Sequence, residues 1–410
     1  MDVRYIIASA LWLGGLVSGL MAKSEWVAAR TAHFELYSNA AVSEAREVLT
    51  DLEEFRAMLL SGLKLPPGRE PITRVVAFRS ERDFEPFQPL FNGKAKKLAG
   101  YFVGGADRAY IAVRLGRDRD EAQRTIYHEY VHQIFSMRGL TLPLWLNEGL
   151  AEFYSTFRMK KGLVILGTPL DQHVEFLRRS RRMAAEDLAR IGLTSTDYNE
   201  GFRQGIFYAQ SWALVHFMLC GKSKYDFSAG VGRLISLQSA PELSDPERFQ
   251  KAFGVDYATM DRELTRYLNG GRFYLYKGET DSPPVDLDLT FAPADPQLLD
   301  CALIELEWIA QQWGDTAYRL LAMAEKYPQA PRVVEVLGSI AWRDGDLWEA
   351  RKRWRQAATR GSENPFVHVQ SVQQTLDDTI GNGRLDFRFP PAMADELRSA
   401  LSKALDLSPD

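Results

Sequence analysis

The pentapeptide His128-Glu129-Tyr130-Val131-His132 sets two imidazoles four residues apart with a carboxylate between them. On an α-helix, residues four apart project from one face a turn apart, so both rings can grip a single ion. Glu129 lies beside that face, within reach of a water on the ion without having to ligate it. Two neutral histidines leave a Zn2+ site incomplete, because catalytic zinc takes three protein ligands and keeps one position for water. The stretch Trp145-Leu146-Asn147-Glu148-Gly149-Leu150-Ala151-Glu152 supplies carboxylates on what reads as the next helix, with Glu148 the leading third ligand, separated from the HExxH by fifteen residues. One zinc ion in that cage would bring the pKa of bound water to about 7, and Glu129 would carry the water's proton to a leaving amine.

Those residues must be positioned by a scaffold, and the patterning predicts one. A strand over 33–38 is followed by a long amphipathic helix from Val42 to Leu63, a strand over 73–78, and a hairpin of 98–103 with 109–115 around Gly104-Gly105-Ala106-Asp107. From Asp118 the pattern turns helical, with acidic residues in the first turn and Gly139 as the stop. A loop with Pro143 leads to a helix from about Leu146 to Phe157, and further helices are expected at 174–191, 205–219, 227–238 and 257–268. Residues 276–295, rich in Pro and Asp, read as a linker or short extended segment. Beyond them Leu337, Gly338, Trp342, Ala350, Trp354 and Ala357 fall at the offsets of a tetratricopeptide-like repeat, with weaker copies on either side. The expected organisation is therefore α+β: a leader over 1–22, a catalytic domain over 23–275, a linker over 276–295 and an all-α helical repeat domain over 296–410.

Through HEYVH and WLNEGLAEF the chain resembles the gluzincin metallopeptidases, the group that includes thermolysin-like and aminopeptidase-N-like enzymes. More closely it is similar to peptidase-MA-like bacterial proteins, several of which join helical repeats. The likeness covers about residues 30 to 270 and implies a zincin-like fold. It further implies that Glu148 ligates zinc, that Glu152 orients His128, and that Asn147 supports His132. It implies a strand lying antiparallel to bound substrate, for which 109–115 is the candidate. Finally it implies a tyrosine from a later helix as donor to the oxyanion of the tetrahedral state, here Tyr208. His173 and His216 are alternatives for that donor; otherwise they, with His33 and His368, read as surface or core residues.

Composition bounds the rest. Of 410 residues, 46% are apolar and 25% charged, which excludes a disordered chain or a polytopic membrane protein. The net charge of -4 and the lack of a basic block beyond Arg178–Arg182 argue against nucleic acid as a partner. Arg4 followed by an apolar run to Ala22 reads as a cleavable signal peptide, with a retained membrane anchor as the alternative, so the expected location is the periplasm or the exterior. Cys220 and Cys301 lack metal-site spacing and are expected as one disulfide or two buried thiols. The expected function is zinc-dependent hydrolysis of peptides or proteins, with the repeats offering a surface to a protein partner. The competing expectation is a catalytically silent scaffold of the cell envelope, which would have no use for Glu129.

Overall fold

Strand β1 (Val27–Arg30) pairs antiparallel with β2 (Phe34–Ser38), and helix α1 (Val42–Gly62) crosses over to β3 (Thr73–Phe78), parallel to β2. Short pieces follow, α2 (Glu81–Phe84), β4 (Leu90–Phe91) and β5 (Lys94–Ala95), and then the expected hairpin of β6 (Gly100–Val103) and β7 (Ala109–Arg114). This computed structural model describes residues 25–407 apart from 66–69, 71, 92–93, 96–97, 106–107, 117–118, 161, 193, 196–200, 241, 280–286, 311–315 and 382–388. The leader over 1–22 lies outside the described residues, among which no helix is long and apolar enough to cross a membrane.

Because β7 pairs parallel with β3 on one side and antiparallel with β6 on the other, it is an interior strand. The expectation that 109–115 lies against substrate is thereby corrected: its backbone groups are already bonded on both sides, and β6 forms the edge. The sequence of β7, AYIAVR, is near-continuously buried, as a strand covered on both faces must be. Phe34, Leu36, Val75, Ala77, Ile111 and Val113 face α1 and the motif helix, whereas Tyr37, Val76, Phe78, Tyr110 and Ala112 face the opposite way.

The helical half begins with α3 (Arg119–Met137) and α4 (Leu144–Tyr154) and is interrupted by a hairpin of β8 (Arg158–Lys160) and β9 (Leu163–Leu166). The single helix expected over 174–191 is two, α5 (Asp171–Arg179) and α6 (Ala185–Arg190). The break is held by side chains distant in sequence: Gln210 bonds both the N–H and the carbonyl of Met183, at 2.9 and 2.6 Å, and Asp261 accepts from the N–H of Ala185 at 3.0 Å. These bonds satisfy backbone groups that a helix would have satisfied internally. Next come α7 (Gly201–Cys220), α8 (Phe227–Leu237), α9 (Asp245–Phe253) and α10 (Tyr257–Asn269).

The stretch expected as a linker or extended segment contributes β10 (Tyr276–Glu279), paired with β9, and β11 (Ala292–Pro293), paired with β1. The main sheet thus runs β11-β1-β2-β3-β7-β6. Among the described residues six helices follow: α11 (Pro296–Ile309), α12 (Thr316–Lys326), α13 (Pro331–Arg343), α14 (Leu347–Thr359), α15 (Pro365–Gly381) and α16 (Pro391–Leu407). Gly338 on α13 faces the Trp354 indole of α14 so closely that an added Cβ would sit 2.6 Å from the ring, which is the small-against-large packing read from the sequence. α11 lays Ala302 and Leu306 on the sheet face opposite the motif helix, so the C-terminal helices are built onto the sheet rather than strung beside it. The architecture is α+β with a helical C-terminal half. Cys220 and Cys301 are free thiols, and burial pushes them up to about 11 and about 12 respectively, so the disulfide alternative is corrected.

Candidate metal centre

Helix α3 turns one stripe, Ala122, Ile126, Tyr130 and Ile134, into the core and leaves its neighbour stripe, with His128 and His132, facing α4. The helix ends where Gly139 takes φ +64° and the Leu140 N–H donates to the Phe135 carbonyl at 2.9 Å. Its C-terminal half is further anchored by Glu70, which accepts from Arg56 at 3.1 Å, from Arg138 at 2.6 Å and from the Tyr130 hydroxyl at 3.3 Å. Four residues later the Pro143 carbonyl accepts from the N–H groups of Leu146 and Asn147, starting α4. The short loop returns α4 against α3 and brings Glu148 to the histidines.

The three side chains form a triangle. His128 Nε2 and His132 Nε2 are 3.1 Å apart, and Glu148 Oε2 is 3.4 Å from each. Zinc bonds of 2.0 to 2.1 Å in tetrahedral geometry put ligand atoms about 3.3 Å apart, so one small divalent ion fits this donor set. The fit is chemical as well as metric. Asn147 Oδ1 lies 2.9 Å from His132 Nδ1; the amide oxygen accepts the proton there and leaves Nε2 with its lone pair toward the triangle. Glu152 Oε1 lies 3.7 Å from His128 Nδ1, long for a hydrogen bond but close enough for attraction.

Burial of the Glu148 carboxyl would raise its pKa; hydrogen bonds and charge from His128 and His132 win and hold it at about 2. Burial likewise acts to lower His128, but Glu148, Glu152 and Glu129 together raise it. An incoming ion must therefore displace a proton that these carboxylates favour, and ion affinity rises with pH. Glu152 is lowered despite its burial, chiefly by a hydrogen bond from His173 and by the charge of His128.

Of the other residues expected at the site, Glu129 is half-buried on α3, next to the triangle and outside it, with its charge acting on His128. Tyr208, from α7, is brought to the same place: its ring centre is 6.4 Å from that of His128. His216 is not an oxyanion donor. It is fully buried, with Nε2 on the Gly167 carbonyl at 2.7 Å and Nδ1 on the Tyr267 hydroxyl at 2.8 Å. His173 has a different place from either reading, its Nε2 3.3 Å from Glu152 Oε2, so that it backs the carboxylate that faces His128. No spacing in the sequence links His173 on α5 to Glu152 on α4. His33 pairs with Glu53 at 2.8 Å and His368 with the Ser362 carbonyl at 2.8 Å, both as structural residues.

Gly149, next to Glu148, is required by the approach of α7. A Cβ there would lie 2.5 Å from the Ser211 carbonyl oxygen and 2.6 Å from Val215 Cγ2. Gly149→Ala is expected to destabilise by about 1–3 kcal/mol and, by pushing α4 off α7, to weaken metal binding as well; thermal unfolding and zinc titration measure the two. Asn147→Ala removes the partner of His132 Nδ1 while leaving all three donors, and is expected to weaken zinc binding about 10–100-fold in a competition titration.

A family described as "Protein of unknown function (DUF1570)" matches residues 122–232. Neither the curated proteins nor the solved structures compared with the chain give a match. The matched stretch runs from the first turns of α3 into α8, and so holds every residue of the triangle together with Glu129, Asn147, Glu152, His173 and Tyr208.

Proposed function

We propose that this chain is a zinc-dependent peptidase with a zincin-like catalytic core, acting in the cell envelope or outside the cell on peptide or protein substrates. The observation that carries the reading is the triangle of His128, His132 and Glu148, whose edges suit a single zinc ion. When bound, zinc supplies a Lewis acid that polarises a scissile carbonyl and acidifies a water. Glu129 takes the proton of the attacking water and delivers it to the departing amine. Tyr208 donates its hydroxyl to the oxyanion, and Tyr208→Phe is expected to lower kcat about 10^2–10^3-fold with little change in zinc content. Asn147 and the pair Glu152–His173 hold the two imidazoles in orientation.

Edge strand β6 supports a peptide as the substrate class. Beyond it no further strand pairs among the described residues, and it packs on α3, so an extended chain can add to it antiparallel beside the histidines. The test is cleavage of a broad peptide library by the full chain before and after chelation, with zinc then restored. Cleavage that disappears with the chelator and returns with zinc supports the proposal. Zinc binding without cleavage of any peptide favours the scaffold.

A further inference from the structure

One face of the small sheet β8-β9-β10 carries side chains that neither the metal centre nor the core accounts for. In β9, Val164 and Leu166 are buried in the main core, while Leu163 and Ile165, alternating with them, turn to the opposite face and stay half-buried. Directly opposite residues on paired strands share a face. Lys160 and Glu279 therefore flank Leu163, and Arg158 and Lys277 flank Ile165. Arg158 is engaged at the far edge, 3.7 Å from Asp120. Leu275, two residues before Lys277, continues the same face.

At the β10 edge of this face stand three consecutive large apolar residues, Tyr274, Leu275 and Tyr276, exposed by 37%, 46% and 49%. Lys222, just past the end of α7, sets its ammonium 5.0 Å from the Tyr274 ring centre. Lys160, Lys222 and Lys277 are themselves exposed. Among the described residues no strand pairs with the outer side of β10. Single exposed apolar residues are ordinary, whereas a contiguous run rimmed by polar groups marks a contact surface. Its composition selects the partner. Protein interfaces are depleted in lysine, but the boundary between water and lipid gathers tyrosine at the level of the headgroups, with lysine stems lying along apolar surface and their ammoniums outside it.

We infer that this face docks the protein on a bilayer containing anionic phospholipid. Tyr274, Leu275 and Tyr276 enter the headgroup region, and Lys160, Lys222 and Lys277 meet lipid phosphates. The attraction reaches about 10 Å at 0.1 M salt, so docking is reversible and needs no spanning segment. It uses none of His128, His132 and Glu148, and it holds or fails independently of the peptidase reading.

The test is co-sedimentation of the full chain with vesicles of phosphatidylglycerol and phosphatidylcholine in equal parts, against vesicles of phosphatidylcholine alone. The apolar run ending at Ala22 would add to binding of both kinds, so the readout is the ratio of the two affinities. That ratio is expected to be on the order of 100 at low salt and to fall toward one in about 1 M salt. Lys222→Ser with Lys277→Ser is expected to lower it about 30-fold, with Tm and zinc content unchanged. Leu275→Ser is expected to weaken binding to the mixed vesicles about tenfold. Arg178→Ser with Arg181→Ser removes two exposed cations elsewhere on the surface and is expected to leave the ratio as it was. A wild-type ratio near one overturns the inference, and so does an equal drop in the arginine pair. A dimer in sedimentation equilibrium that the lysine pair dissociates would overturn it too, by making this face an interface between copies.

Discussion

In Glu129→Gln the chain is expected to bind one zinc ion as the wild type does and to hydrolyse peptides about 10^2–10^4-fold more slowly. The two parts of that result come from one geometric fact. The triangle uses the Nε2 atoms of His128 and His132 with Glu148 Oε2, and Glu129 stands outside it on the same helix. Glutamine keeps the size and the polarity of the side chain, and its amide cannot accept the proton of the attacking water. A loss in kcat with KM and zinc stoichiometry preserved is the signature of a group that acts only in the transition state. Loss of zinc together with activity would instead make Glu129 a ligand or a prop of the helix, and the division of roles proposed here would be wrong.

Glu305→Gln is expected to destabilise the fold by about 3–5 kcal/mol while leaving the site's ligands in place. Glu305 is completely buried at the junction of α11 with the sheet and is approached by Arg108, Arg332 and Arg343. Burial alone would raise its pKa; the three guanidiniums, with Arg74, hold it at about 2, against an ordinary 4.5. A carboxyl lowered in the folded state contributes its stability in full above the ordinary value and loses it as pH falls through 4.5 toward 2. That gap corresponds to on the order of 3 kcal/mol. Denaturant melts at a series of pH values should show the difference in stability between wild type and Glu305→Gln at its maximum above pH 5 and shrinking toward pH 2. A difference that stays constant over that range would remove the charge cluster from the account of how the C-terminal helices are held.

The residues of the candidate site were legible because their grouping is local. His128 and His132 are one helical turn apart, and Glu148 follows on the next helix across a short loop, so spacing alone predicts that they meet. Tyr208 follows only from the resemblance, and the structure sets its ring beside His128. What stayed hidden depends on pairings between distant segments. Nothing in 98–115 says which strand of a hairpin will find a parallel neighbour, so the pattern offers 109–115 as the strand beside substrate although β7 lies inside the sheet and β6 at its edge. β11 is two residues long and carries no periodicity, yet it closes the other edge of the sheet. The break between α5 and α6 is dictated by Gln210 and Asp261, which belong to later helices. His173 gained its place only when α5 packed against α7 and came beside Glu152. The junction of Arg108, Glu305 and Arg332 joins residues some two hundred positions apart, beyond any window in which charge patterning is read.

Gly149 shows how the two kinds of information meet. In the sequence it is a glycine inside a helical run, a position that weakens a helix unless packing demands it. In the fold it is the point where α4 touches the backbone of α7, and that contact sets the height of Glu148 relative to the two imidazoles. The ligand geometry therefore rests on helix packing as much as on the ligands.

Zinc titration of the purified, metal-stripped chain against a chromophoric chelator tests the centre most directly. One ion per chain, bound at least about 100-fold more weakly by each of His128→Ala, His132→Ala and Glu148→Ala, with each variant still folded by circular dichroism, is the result expected here. A wild-type chain that takes up no zinc, or one whose zinc affinity is the same when both histidines are replaced, would contradict it.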